Sequence, residues 1–260
     1  MDKLQEDLRT KRLGKRIFYT RKIGSTNEWA KELAKLGAEE GTVVVAEAQT
    51  DGHGRLGREW SSPEGGLWFS VVLRPKMRAS ETIGLVFAAG LAVAEVLREA
   101  YGLPVETRWP NDVLVHGKKI CGILCEMHVT GNAAVFVLVG IGVNVNVDVK
   151  KVLPRSLQDC ATSVQDELGK TVRLEELLRL LLERMEIFYD LYVKEDLVPV
   201  LEKWKKHARF IGQRVRVANE TERVSGLALD VDSEGALVLK LEDGTLRRFL
   251  VGDVSMEQKQ

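Results

Sequence analysis

The sequence predicts an α+β protein: a mixed sheet flanked by helices, followed by a small C-terminal β-barrel. Three observations lead there. Strand-like and helical apolar runs are mixed as far as Trp204, and short β-rich runs alone follow. The 260 residues, 45% of them hydrophobic, suffice for one large core and a smaller one. The expected division is a first domain over residues 15–206 and a second over 207–260.

In chain order, residues 1–14 are too polar for a signal peptide and read as a short helix or a frayed end. Ser25, Thr26 and Asn27 precede a helical pattern that Gly37 ends, so capping is their ordinary explanation. Residues 42–48 (TVVVAEA) are a strand. Residues 49–60 (QTDGHGRLGREW) then set three glycines among His53, Arg55 and Arg58. Gly52, Gly54 and Gly57 match G-x-G-x-x-G, but the following REWSSPEGG cannot open the helix that a dinucleotide fingerprint needs, and GxxxxGK[ST] is absent. The alternatives are a loop that holds a phosphate or carboxylate and a hairpin with solvated arginines.

Residues 80–101 read as a helix with Ile83, Phe87, Leu91, Val93 and Leu97 apolar. Pro110 stops a strand through Trp109, and Asn111 and Asp112 are turn formers that also offer oxygen to Mg²⁺. Residues 113–115 and 120–127 form two strands around His116-Gly117, with one of Lys118 and Lys119 facing in and the other out. Residues 135–147 make a long apolar strand in which Gly140 and Gly142 mark a bulge or a close backbone approach. Asn144 either offers its amide to a nucleotide base or sits in a polar turn. Residues 174–192 form a helix buried on much of its surface. Arg179, Glu183, Arg184 and Glu186 discount its insertion into a membrane. After Trp204 come RVRVA, RVSGLALDV, GALVLKL and TLRRFLV, separated by turn residues, the pattern of a small barrel.

Composition narrows the class. With 38 basic and 38 acidic residues, nothing advertises nucleic acid. Cys121 and Cys125 lie on one strand about 13 Å apart, too far for a disulfide, which fits a reducing, cytoplasmic setting. The four histidines show no metal-ligand spacing, and no uncharged apolar run reaches membrane length.

Gly52 to Arg58, Trp109-Pro110-Asn111-Asp112, Lys119 with Gly122, and Gly140-x-Gly142-x-Asn144 together resemble the catalytic domain of biotin protein ligases, over about residues 18–254. The resemblance implies a class II synthetase-like biotin ligase fold with an SH3-like C-terminal barrel. It also implies a two-step reaction. Biotin and ATP give biotinyl-5′-adenylate and pyrophosphate, and a lysine of a biotin carboxyl carrier protein then takes the biotinyl group. Mg²⁺ is expected as activator, with no tightly bound prosthetic group, and the enzyme is expected as a homodimer.

By the same resemblance, Ser25, Thr26, Asn27, Gln49, His53, Gly54, Arg55, Lys119 and Gly122 meet biotin. Arg55, Arg58, Trp60, Asn111, Lys119 and Asn144 meet the nucleotide, and Lys119, Arg55 and Asp112 act in catalysis. Asp112 is open between general base, Mg²⁺ ligand and turn cap, and Trp60 and Trp109 are candidate pocket walls. His53 replaces the first arginine of the usual GRGR, exchanging a permanent charge for a titratable one. The 17 residues before Phe18 cannot hold the winged helix-turn-helix of some relatives, so no operator binding is expected. Transfer of lipoate or octanoate to a carrier lysine is the nearest alternative, and a catalytically silent adenylate-binding regulator is another.

Overall fold

The computed structural model describes residues 7–219 and 221–257. Its main sheet has seven strands in the order β1-β2-β3-β7-β6-β5-β4. They are β1 (Ile17–Ile23), β2 (Val43–Gln49), β3 (Leu67–Leu73), β4 (Val105–Arg108), β5 (Asp112–Val115), β6 (Lys118–Thr130) and β7 (Ala133–Val143). Only β1 and β2 run parallel, because helix α1 (Thr26–Lys35) returns the chain between them. The remaining pairs are antiparallel, with short turns joining β4 to β5, β5 to β6 and β6 to β7, while the longer loop 50–66 joins β2 to β3.

Both faces of the sheet are covered, and the strands alternate between them. Val43 and Val45 join the large core on one side, while Val44 meets Ala30 and Ala34 of α1 on the other. The large core holds α2 (Gly84–Tyr101), α3 (Leu174–Glu195) and α4 (Val198–Lys205). A 3₁₀ turn (Ala79–Ile83) leads into α2. Ala79–Tyr101 is long and apolar enough to cross a membrane by composition, but 78% of its 18-residue apolar stretch is buried inside the fold. It is the central core helix.

After α4 the chain forms a five-stranded antiparallel sheet in the order β11-β10-β9-β8-β12. Its strands are β8 (Arg214–Ala218), β9 (Arg223–Val231), β10 (Leu237–Lys240), β11 (Leu246–Phe249) and β12 (Asp253–Met256). Val215, Leu237 and Phe249 of this sheet join the same core as α2. Trp109 sits at the junction, 1% exposed, and its indole N–H donates to the Gly235 carbonyl at 2.9 Å. Trp109 is therefore an inter-sheet core residue, and the expectation that it walls a pocket is corrected.

Of the first fourteen residues, 1–6 lie outside the described residues, and residues 8–14 are not helical. Leu8 and Leu13 are buried, and the Glu186 carboxylate of α3 accepts from the backbone N–H groups of Lys11, Arg12 and Leu13.

Candidate active site

Loop 50–66, the end of β4, the first part of β6 and the last part of β7 enclose a cleft of about 490 Å³. Its lining includes Ser25, Thr26, Asn27, Gln49, His53, Gly54, Arg55, Arg58, Trp60, Asn111, Asp112, Lys119, Gly122 and Asn144. Every residue expected to meet biotin or the nucleotide or to act in catalysis thus lines one cavity, from segments spread over more than a hundred residues, whereas Trp109 does not. Arg108, Gly140, Gly142 and Asp253 also line it.

One end is a hydrogen-bond network of uncharged side chains, tied at its edge to the Glu126 carboxylate. Gln49 accepts from the backbone N–H and the hydroxyl of Thr26 at 2.8 and 3.0 Å and donates to the Ser62 hydroxyl at 2.8 Å. The Ser70 hydroxyl lies 2.8 Å from that of Thr26 and 2.5 Å from Asn27 Oδ1, while Asn27 Nδ2 donates to Glu126 at 2.7 Å. Ser25 makes no capping bond, so the capping explanation fails for it. Gln49, reaching over from β2, takes an N–H of the first turn instead.

Asn27 fits because Gly140 has no side chain: a Cβ there would stand 2.4 Å from Asn27 Oδ1. Gly142 does the same for Trp60, whose Nε1 would lie 2.5 Å from an added Cβ. Both glycines lie in the continuous β6–β7 ladder, so they mark close approach rather than a bulge.

The other end is charged. The Asp112 carboxylate receives Lys119 Nζ at 2.6 Å on one oxygen and Arg108 Nη2 at 2.8 Å on the other. A register shift brings Lys119 there. Val113 pairs with Cys121 and Leu114 with Lys119, leaving Ile120 as an extra residue. Without it, Lys119 and Gly122, three apart, would face opposite sides of the sheet. With it they share a face, and an added Cβ at Gly122 would lie 3.3 Å from Lys119 Cε. Lys118 is exposed, so one lysine faces in and one out. Lys119 Nζ also lies 5.0 Å from the Trp60 ring centre, within cation–π range.

Burial pushes the Asp112 carboxyl up, but Lys119 and Arg108 outweigh it and hold the group below the usual carboxylate range. Asp112 is thus an ionised, weakly basic group with both oxygens engaged. Among the described residues it belongs to no cluster of three metal-ligating side chains.

Arg55 donates to Asn111 Oδ1 at 3.2 Å and to the Gly252 carbonyl at 3.1 Å, and lies 3.5 Å from Asp253; Arg58 pairs with the same Asp253. Burial lowers the Arg55 guanidinium from its ordinary value, opposed by Asp253 and Asp112. A guanidinium still remains protonated at neutral pH. Asn144, 7% exposed, donates its amide N–H to the Thr162 carbonyl at 3.0 Å, so its turn role is filled while it borders the cleft. Burial raises the Cys121 thiol and pushes that of Cys125 up to about 12, so neither is an activated nucleophile.

Residues 19–144 match the biotin/lipoate A/B protein ligase family, and residues 210–256 match the biotin protein ligase C-terminal domain. The bifunctional ligase/repressor BirA of Bacillus subtilis is 35% identical over 250 residues, which cover 96% of this chain and 76% of that protein. The chain belongs to the biotin protein ligase family. The biotin–[acetyl-CoA-carboxylase] ligase of Paracoccus denitrificans is 36% identical over 83% of this chain and 90% of its own. Among solved structures, the biotin protein ligase of Aquifex aeolicus in complex with biotin and ATP has a TM-score of 0.80 at 30% identity, covering 94% of this chain and 100% of that one.

Sequence reasoning missed Arg108 and Asp253. Arg108 directly precedes the Trp109-Pro110-Asn111-Asp112 motif, but its meeting with Asp112 comes from cross-strand pairing of β4 with β5, which the motif alone does not show. Asp253 lies some two hundred residues from the arginines it meets and gave none.

Proposed function

We propose that this family member attaches biotin to one lysine of a biotin carboxyl carrier protein, in the cytoplasm, through a biotinyl-5′-adenylate. The observation that carries the reading is the polarity of the cleft. An end of uncharged hydrogen-bonding side chains suits a ureido ring, and a cationic end suits two anions brought together.

With the biotin head at Thr26, Asn27 and Gln49, the acid's carboxylate reaches Lys119. ATP's α-phosphate lies between Lys119, Arg55 and Arg58, with Trp60, Asn111 and Asn144 bordering the nucleotide, and Ser25, His53, Gly54 and Gly122 closing the biotin side. The carboxylate oxygen attacks the α-phosphorus, a C–O–P bond forms, the bond to the β-phosphate oxygen breaks and pyrophosphate leaves. Two anions repel, so preorganised cations accelerate this step most. In the second step the carrier lysine's neutral amine attacks the acyl carbon and AMP departs, with the amine proton lost. Asp112, ionised between two cations, suits positioning of Lys119 better than proton abstraction.

Mg²⁺ fits as part of the substrate, carried by ATP's phosphates. Asp112 offers one carboxylate whose oxygens are already bonded, which is no dedicated magnesium cage. Two further parts of the reading are a division into residues 15–206 and 207–260 and a homodimer built on an unpaired edge strand, β1 or β4.

The test is intact-mass analysis of a carrier domain incubated with the chain, biotin and MgATP. One biotinyl group on one lysine is expected. Modification by lipoate or octanoate instead of biotin would favour the alternative acid, and a family member that only retained the adenylate would leave the carrier unmodified.

A further inference from the structure

We propose that Glu28, His53 and Glu126 form a binding site for a transition-metal dication, zinc by preference, which staples the glycine-arginine loop across the mouth of the cleft. Each side chain offers one ligand atom, and these atoms lie within 4.8 Å of one another. They come from three separate elements. Glu28 lies in the first turn of α1, His53 in the loop and Glu126 on β6. The histidines have no ligand spacing along the chain, and only the fold brings these groups together.

His53 Nε2 stands 3.9 Å from Glu126 Oε2. That is too long for a hydrogen bond but within the span of about 4.2 Å open to two ligands each bound at about 2.1 Å to one ion, and the exposed Glu28 side chain, within 4.8 Å of both, closes on the ion by rotation about its own bonds. Both groups are already oriented. His53 Nδ1 lies 3.1 Å from the Asp51 carbonyl, so Nδ1 carries the proton and Nε2 presents its lone pair. Asn27 Nδ2 holds Glu126 Oε2 at 2.7 Å. A backbone carbonyl on the distal ring nitrogen and an amide on the carboxylate are the supports that bound-metal ligands commonly have.

One imidazole with two carboxylates is a zinc-type donor set, whereas magnesium favours oxygen alone. The site is open to solvent on the Glu28 side, where, among the described residues, Glu28 pairs with Lys31 at 3.4 Å. The site depends on the histidine that this chain carries at position 53, since the arginine of the usual GRGR loop cannot ligate a metal. An ion held here ties the loop to α1 and β6. Loop opening must then break a metal–ligand bond.

The stapling effect on ligand release rests on the ligase reading, but metal binding does not. The test therefore uses the untagged full chain without biotin or ATP, titrated with Zn²⁺ against a chromophoric chelator and, separately, with Mg²⁺. One zinc per chain is expected, with affinity at least tenfold lower in His53→Gln and Glu28→Gln and unchanged in Cys160→Ser, which removes the exposed cysteine near the cleft. Glu28 and His53 are surface groups, and thermal melting checks that both variants fold. Trypsin should cut after Arg55 and Arg58 more slowly with zinc in the wild type and at an unchanged rate in His53→Gln. No zinc binding, or equal binding by wild type and both variants, would overturn the site, and zinc binding without protection of the loop would overturn the staple. Loss of biotin-dependent chemistry alone would count against the ligase reading and leave the metal titration standing.

Discussion

Lys119 reaches the cleft through one extra residue in β6, and its ion pair with Asp112 holds it there. Lys119→Ala should reduce biotin-dependent pyrophosphate release at least about 100-fold, near 2.7 kcal/mol of transition-state stabilisation. Asp112→Asn frees Lys119 from its partner, so adenylation should fall while transfer from preformed adenylate falls less. A larger loss in transfer, measured on isolated biotinyl-adenylate, would restore Asp112 as the base. Gly142→Ala should move Trp60, because the new Cβ meets its Nε1 at 2.5 Å; biotin affinity by calorimetry should drop at least tenfold in a chain that still folds. Residue types made the site legible here, since glycine, arginine and lysine have few reasons to interrupt apolar strands. What they did not disclose was pairing. The tie from Asp112 to Arg108, and the commitment of Asn144 to the Thr162 carbonyl, depend on geometry that spacing does not encode.

At the scale of elements, long segments were readable even where buried, as α2 shows, and short, fully buried ones were not. Helix α3 and strands β5 to β7 showed their periods and turn residues; the structure extends α3, β5 and β6 by one to three residues at an end, whereas β7 starts two residues early and stops at Val143, four short of the expected end at 147. β3 (LWFSVVL) is buried at every position, so it has no polar alternation to mark it, and periodicity does not tell a buried strand from a buried helix in such a run. β1 joins it only by parallel pairing with β2, a long-range property.

Helix α3 also anchors the start of the described chain through Glu186. Burial raises that carboxyl, but three backbone N–H groups lower it further, leaving it below its ordinary 4.5. A depressed folded value stabilises the protein above the unfolded pKa and loses that contribution as pH falls through the folded one. Glu186→Gln should therefore cost about 2 kcal/mol at pH 7, and the gap to wild type should narrow below about pH 4.5, as measured by denaturant melts across pH.

The whole molecule is joined where the catalytic loop meets the C-terminal sheet. Asp253 at the start of β12 pairs with Arg55 and Arg58, and Gly252 accepts from Arg55, so the small sheet holds the loop that carries the cations. Asp253→Asn should loosen that loop, giving faster tryptic cleavage after Arg55 and Arg58 with little change in melting temperature. The sequence made both sheets legible, but their junction at Trp109, Gly235 and Asp253 is tertiary and had no local signature. The central claim is that the cationic end of this cleft activates biotin at the expense of ATP. Its most direct measurement is pyrophosphate release from MgATP with biotin, lipoate or octanoate, run on wild type and Lys119→Ala. Release with biotin alone, lost in the variant, is expected; release with lipoate, or equal release by the variant, would contradict it.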